Sequence, residues 1–332
     1  MLADKVEVNT LRTRLVMVGV FVGAIAALSL SVAFSWGGGV LGGGRVEESP
    51  EAKAAFHAAA GSCLFWSQAD VSDIHVVPCE LPHLYEVTGV VNIADRYPPG
   101  TPAPTVDEWR AIAVDRCTPG TQKYLGKPLD PYGKFSVSAL RPGGGEWSSG
   151  DRDMRCVLQW AAPAGALQMV KGKVADQSQA AIWDPGTCLA LAGKTVGNPI
   201  DCAQPHAYEI VATIDLKKHF SGADYPSQKD QGTWLDTECS NAVQSYAGGV
   251  DIAGQHLILT WDTRESESWT AGSTQVNCKV GAKLPDNSGL QAITGSVRQQ
   301  AQDAPPGGQP PGGQPPGGQP NGGQPTAKPP NG

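Results

Sequence analysis

Two stretches of the chain set out the same reactive residue types in the same order. PCELPHLYEV occupies residues 78–87 and DCAQPHAYEI occupies 201–210. An imidazole three residues before a carboxylate supplies the parts of an acid/base pair, so His83 with Glu86 and His206 with Glu209 are candidates for proton transfer. A cysteine four residues before a histidine lies within the habits of zinc ligands, which nominates Cys79 with His83 and Cys202 with His206. Each use meets an obstacle. A structural zinc site wants four ligands at recognisable spacings, no CxxC occurs, and the remaining cysteines are far away in sequence. In a strand running regularly from the histidine, positions i and i+3 point to opposite faces, so His83 would share a face with Tyr85 and Val87 while Glu86 faced away. No GxSxG, SxxK or HExxH stretch is present to complete a site. The expectation is therefore no catalytic residue, no metal and no cofactor. Pro82, His83, Tyr85 and Glu86, with Pro205, His206, Tyr208 and Glu209, take a role in the fold instead. Pro-His ends a cysteine-anchored loop, the imidazole satisfies backbone groups, and Tyr and Glu sit at the sheet edge. A surface kept for a common ligand is the other reading.

The elements around the motif recur as well. Gly61-Ser62-Cys63-Leu64 returns as Gly186-Thr187-Cys188-Leu189, and Cys117, Tyr124 and Gly126 return as Cys239, Tyr246 and Gly248. Trp147, Gly150 and Cys156 return as Trp269, Gly272 and Cys278, and LQMVKGKV at 167–174 returns as LQAITGSV at 290–297. The nearly constant separation predicts two copies of one domain, 61–174 and 186–297, joined by a linker at 175–185, each about 115 residues and thus of ordinary single-domain size. Trp147 and Trp269 are either core residues packed on a disulfide or platforms for stacking a sugar. Arg152 has no counterpart, because Thr274 stands in its place. His57 reads as a surface residue, and His75, His219 and His256 are unmatched and incidental.

The eight cysteines divide equally: 63, 79, 117 and 156, then 188, 202, 239 and 278. Four cysteines permit three pairings. First-to-second (Cys63–Cys79, Cys188–Cys202) and third-to-fourth (Cys117–Cys156, Cys239–Cys278) is favoured. The first pair flanks a strand, a loop and a strand; the second ties a helix to a late strand. HLYEVTGVVNI and HAYEIVATIDL alternate and are rich in β-branched residues, as strands are. GKFSVSAL, HLILTWDT, RDMRCVLQW and TQVNCKVGA also read as strands. Thr105-Val106-Asp107-Glu108 is a capping box opening a helix to about Leu125. Its partner helix is expected from Thr233 to about Ala247, with Cys239, Ala242, Val243 and Tyr246 on one buried face. The fold class is α+β: an antiparallel sheet and one main helix per copy.

The ends fix the compartment. Residues 15–36 contain no charge and, as a helix, would span roughly 33 Å, enough for a single transmembrane segment. Lys5, Arg12 and Arg14 precede it, whereas Arg45, Glu47 and Glu48 follow, so the positive-inside rule places residues 1–14 in the cytoplasm and the bulk of the chain outside. A cleaved signal peptide ending near Ser31-Val32-Ala33 is the competing reading. Residues 37–60 read as a flexible spacer ending in a short helix with Ser49 as N-cap, and 298–332 as a disordered tail of PPGGQ repeats with polyproline II character. A net charge of −7 argues against a nucleic-acid partner. The oligomeric state is left open.

Taken together, GxCL, V/I-x-C-x2-PHxYE, C-x6-Y-x-G and W-x2-G-x5-C resemble the septum formation family of extracytoplasmic domains of high-GC Gram-positive bacteria. The resemblance covers 61–174 and 186–297 and implies a membrane-anchored protein of the cell envelope, with a hint of a part in cell division. It brings no catalytic residues. The expected function is a binding or structural protein with an envelope protein or cell-wall partner. The alternative is a wall hydrolase or transferase that uses His83/Glu86 or His206/Glu209.

Overall fold

The structure, a computed structural model, describes residues 49–222, 224–248 and 252–298. The expected membrane helix at 15–36 and the repeats from 299 onward lie outside the described residues. No helix among the described residues is long and apolar enough to cross a membrane.

Helix α1 (Pro50–Phe56) is opened by Ser49, whose hydroxyl accepts from the Ala52 amide at 3.1 Å, with proline in the first turn. Far from marking a spacer, it buries Ala52 and Ala55 against Leu64, Ile74 and Val87, and so belongs to the first module. There follow β1 (Cys63–Phe65), β2 (His75–Val77), β3 (Tyr85–Asn92), α2 (Val106–Leu125), β4 (Phe135–Leu140), α3 (Gly144–Ser149), β5 (Asp153–Ala161) and β6 (Leu167–Gln168). The antiparallel sheet runs β2-β1-β3-β5-β4, with β6 on β5. The second module repeats this plan with β7 (Cys188–Ala192), β8 (Thr195–Ile200), β9 (His206–Asp215), α4 (Gln228–Tyr246), β10 (Ile258–Trp261), α5 (Ser266–Thr270), β11 (Gln275–Lys283) and β12 (Leu290–Gln291). Its order is β8-β7-β9-β11-β10, with β12 on β11. Even the irregularities coincide, since the pairing of the two long central strands slips at Thr88 in one sheet and at Val211 in the other.

The capping box at Thr105 and Glu108 forms as the sequence requires. Helix α4 begins at Gln228, five residues before the expected Thr233. Its cap is Ser227, which accepts from the Asp230 amide at 3.2 Å while donating its hydroxyl to the Asp230 carboxylate at 2.7 Å. An Asp at the third position, where the usual box has Glu or Gln, hides this start from a pattern reading. Buried positions on α4 fall at Gln231, Leu235, Cys239 and Val243, one per turn along a narrow stripe.

The pairings are Cys63–Cys79, Cys117–Cys156, Cys188–Cys202 and Cys239–Cys278. By loop-closure entropy the first and third bridges contribute about 3 kcal/mol each and the helix–strand bridges about 4. Trp147 and Trp269 are buried in the same clusters as the helix–strand bridges. With 7 % exposure each, neither ring offers a face on which a sugar could stack. Both lie on short helices that the sequence reading did not anticipate, closed by Gly150 and Gly272.

The linker is held by both modules. Gln179 is buried: its amide nitrogen donates to the Pro128 carbonyl at 2.8 Å, and its amide oxygen accepts from the Asp130 N–H at 3.0 Å. Asn277 accepts from the Trp183 N–H and donates to the Ala181 carbonyl, each at 3.0 Å. Between the modules, the buried Ser268 hydroxyl donates to Asp130 at 2.8 Å. Polar groups removed from water in this way fix relative placement, because separating them strands each partner.

Candidate functional site

The motif builds a buried carboxylate knot, and the geometry corrects two expectations. First, Tyr85 and Glu86 lie on β3, in the middle of the sheet and not at its edge. Second, the histidine and the glutamate face the same side. His83 precedes β3 and pairs with Val170 as an isolated bridge, so the strand is not regular from the histidine onward. In the second module the β7–β9 register slips so that Ala190 opposes His206 while Leu189 opposes Tyr208, which leaves Ala207 extra and reverses the alternation. His83 Nε2 ends 3.8 Å from Glu86 Oε2. His83 is 1 % exposed, and Glu86, His206 and Glu209 are 0 %.

Three segments converge on each carboxylate. The helix supplies a tyrosine: a C-x6-Y spacing puts Tyr124 two turns from Cys117 on the same face. The Tyr124 hydroxyl donates to Glu86 Oε1 at 2.5 Å, and the Tyr246 hydroxyl donates to Glu209 Oε1 at 2.6 Å. The segment after the last long strand supplies backbone amides, with the Val174 N–H donating to Glu86 at 2.8 Å and the Val297 N–H donating to Glu209 at 2.7 Å. In the second module Ser296 donates its hydroxyl as well, at 2.6 Å. Gly61 and Gly186 bring the first cysteine in beside the tyrosine. Both have positive φ, and a Cβ there would lie 3.9 and 3.5 Å from the Tyr124 and Tyr246 oxygens.

The recurrence of LQMVKGKV as LQAITGSV acquires its reason here. Val170 and Ile293 exchange both backbone hydrogen bonds with His83 and His206, at 2.8–2.9 Å. Gly172 donates to the Cys79 carbonyl at 2.7 Å and Gly295 to the Cys202 carbonyl at 2.8 Å. Two residues further on come the amides of Val174 and Val297. The sequence showed that these segments match but not what they touch.

The imidazoles meet backbone: His83 Nδ1 lies 3.0 Å from the Leu81 carbonyl and His206 Nδ1 lies 2.8 Å from the Gln204 carbonyl. The tyrosines feel the knot. Burial first, and then the Glu209 carboxylate, push Tyr246 up to about 12, while burial and the Glu86 carboxylate push Tyr124 upward too. Elsewhere, His57 lies near Glu146 and Arg155, His75 bonds the Asp73 carbonyl, and His219 stacks on Trp234; none joins the knot.

Open space lies away from the knot. A cavity of about 590 Å³ in the first module is lined by Phe56, Trp66, Val71, Tyr85, Trp109 and Arg141, among others. Trp66 meets Tyr85 edge-on at 4.7 Å, and the Arg141 guanidinium lies 5.9 Å from the Trp109 ring. The loop 67–73 forms one wall. Asp73 pins it by accepting from the Ser67 N–H and hydroxyl and from the Gln68 N–H at 2.7–3.0 Å. Within the loop Val71 is held at φ 61°, costly for a β-branched residue. At the corresponding place the second module has the hairpin β7–β8, turned at Gly193-Lys194. The sequence reading did not find this cavity; the signal was the lack of any match between 66–74 and the second copy.

The disulfide-bonded α+β modules, each built around a Pro-His-x-Tyr-Glu knot, define an architecture and not a known catalytic centre. The chain belongs to the septum formation family, whose match spans residues 60–278 and so runs through both modules. It is similar to a protein named as an uncharacterized membrane protein in two strains of Mycobacterium tuberculosis, CDC 1551/Oshkosh and ATCC 25618/H37Rv. In both cases the identity is 32 % over 248 residues, covering 72 % of this chain and 55 % of the relative. The chain thus spans about half the length of those relatives. No solved structure matches it.

Proposed function

We propose that this protein is a membrane-anchored, extracytoplasmic binding protein of the bacterial cell envelope, with a part in septum formation or wall assembly. Several lines support the reading. The family is named for septum formation, the mycobacterial relatives are named as membrane proteins, and residues 15–36 have the length and composition of a single-pass anchor with the N-terminus inside. Four disulfides suit an oxidising compartment.

The observation that carries binding over catalysis is the sealing of the knot. A general acid or base must come within hydrogen-bond reach of its substrate, yet in both modules backbone amides and a tyrosine occupy the carboxylate and solvent does not reach the imidazole. The aromatic cavity of the first module is instead open to a ligand, and its size and lining are those of ligand pockets generally. The partner is an envelope protein or cell-wall material. The test is a fluorescent fusion followed through division, combined with crosslinking in live cells and a Trp66→Ala variant. Enrichment at the division site, with a discrete crosslinked partner lost in the variant, is the expected result. Uniform labelling of unrelated surface proteins, unchanged by Trp66→Ala, would sink the proposal.

A further inference from the structure

The knot also contains an unresolved electrostatic problem. His83 Nδ1 lies within hydrogen-bond distance of the Leu81 carbonyl, which can only accept, so Nδ1 carries a proton, and in the neutral ring Nε2 then presents a lone pair. That lone pair faces Glu86 Oε2, another acceptor, across 3.8 Å of solvent-free space. Nε2 has no hydrogen-bond partner, and neither does the buried His206 Nε2 in the second module. In that form two buried acceptors oppose each other, and either a proton on Nε2 or a metal cation can bridge them.

The third group at the same point is sulfur. Cys63 Sγ lies 3.8 Å from Glu86 Oε2, and Cys63 Sγ, His83 Nε2 and a Glu86 oxygen all fall within 4.8 Å of one another. In the second module the group so spaced is Cys188, Cys202 and Glu209, without the imidazole, and His206 stands there at the position that His83 holds in the first. Zinc bond lengths of roughly 2.0–2.3 Å place tetrahedral ligands about 3.3–3.8 Å apart, close to the separations seen. Histidines that bind metals have their other nitrogen on a backbone carbonyl, as here, and ligating carboxylates are themselves hydrogen-bonded, as Glu86 is by Tyr124 and Val174. What the oxidised module lacks is a thiolate, because Cys63 is bound to Cys79.

We propose that each module contains a latent site for a zinc-type divalent cation, opened by reduction of its first disulfide. Cys63, Cys79, His83 and Glu86 are the ligands in the first module, with Cys188, Cys202, His206 and Glu209 in the second. The chemistry balances with a dithiol reductant. One reductant thiolate attacks the outer sulfur, Cys79 or Cys202, and the inner cysteine leaves as a thiolate. The second reductant thiol then releases the outer cysteine and closes the reductant's own disulfide, so two electrons and two protons have passed to the module. Binding of the cation displaces those two protons. Access orders the reduction. Cys202 is half-buried and Cys79 retains 8 % exposure, whereas no cysteine of the helix–strand bridges exceeds 2 %, so the first bridges open before the second.

The test uses the full chain, oxidised or reduced anaerobically with a non-chelating phosphine, with peptide mapping to confirm that Cys117–Cys156 and Cys239–Cys278 remain closed. Zn²⁺ is titrated in competition with a chromogenic chelator, and Co²⁺ reports thiolate ligation through its charge-transfer and d–d bands. The expected result is no tight binding by the oxidised chain and up to two ions per reduced chain, with tetrahedral thiolate spectra. His83→Gln combined with His206→Gln weakens binding by more than the roughly 10–100-fold that outer hydrogen-bond partners command. Tyr124→Phe with Tyr246→Phe, which leaves every ligand in place, weakens it within that range. Absence of binding by the reduced chain overturns the proposal. So does equal affinity in the His→Gln pair, or in reduced chain unfolded by urea, since free thiols alone would then account for the signal.

Discussion

If the glutamate of the repeated motif is a structural tie, removing it should unfold its module and do little else. In Glu86→Ala the Val174 N–H, buried with the core, loses its acceptor and the Tyr124 hydroxyl loses a 2.5 Å bond. Hydrogen bonds to a carboxylate contribute about 1–3 kcal/mol each, and a buried amide left unpaired adds a similar penalty. The cavity left by the missing carboxyl lies beside Cys63 and His83, neither of which can collapse into it, held as they are by a disulfide and a backbone bridge. The sum is a loss of about 3–6 kcal/mol, out of total stabilities of about 5–15 kcal/mol. Glu209→Ala should be the more damaging, because three donors converge on that carboxylate, those of Tyr246, Ser296 and Val297. For a module of this size the melting temperature should fall by 10 °C or more. The assay is thermal and urea unfolding of the full chain with its disulfides intact, followed by circular dichroism. Tyr124→Phe and the double variant close a cycle whose coupling should be about 1–2 kcal/mol. Stability of Glu86→Ala within about 0.5 kcal/mol of the parent chain would refute the reasoning. Loss of a wall-directed activity at unchanged stability would restore the enzymatic alternative.

Further outcomes follow from the same structure. Arg152 is buried over Trp147 and donates to the carbonyls of Tyr97, Trp147 and Asp151 at 2.7 Å, so Arg152→Ala should lose about 3–5 kcal/mol in urea unfolding. Tyr246, raised from 10.0 to about 12, should ionise late in an ultraviolet titration. Its contribution to stability is present below pH 10 and lost as the pH rises through about 12, and Glu209→Gln should narrow that window. Asp73 is held down to about 2 by its bonds to Ser67 and Gln68, so its tie on the loop 67–73 is present above pH 3.8 and lost as the pH falls through about 2. Asp73→Asn at neutral pH should expose that loop to proteases and leave the second module's cleavage pattern unchanged.

Much of the fold was legible because its signals are local or duplicated. Thr105 and Glu108 announce a helix start through adjacent chemistry, and an equal quartet of cysteines per copy makes the pairing a choice among few. The errors share a physical origin: they occur where alternation breaks. A strand counted in twos from His83 or His206 places Glu86 or Glu209 on the wrong face, because the bridge to Val170 that keeps His83 outside β3, and the slip at Ala207 in the second module, are long-range facts of pairing. The donors to the carboxylate lay equally out of reach, since Val174 is 88 residues from Glu86. The cavity was missed for another reason. Besides the recurring Tyr85 and Trp147, its walls include Trp66, Ala69, Asp70 and Val71, from a segment with no counterpart in the second copy.

That contrast divides the molecule into what the fold requires and what it leaves free. A cation sits over the buried tryptophan in both modules, but by different routes: Arg152, just before β5, covers Trp147 at 3.7 Å, whereas Lys217 from the turn after β9 covers Trp269 at 4.2 Å. Thr274, in the place of Arg152, bonds Asp215 instead. A cation against the ring face is common to both modules, and the residue that supplies it is not. The knot behaves in the opposite way, with cysteine, histidine, glutamate, tyrosine and glycine all retained at matching positions. Interchangeable solutions are what packing tolerates, whereas these five residue types are retained where the loop, the helix and the last segment close on one point. Differences of function between the modules must therefore reside outside the knot. The largest is the exchange of a tight hairpin for the strained loop 67–73, which gives the first module its aromatic cavity.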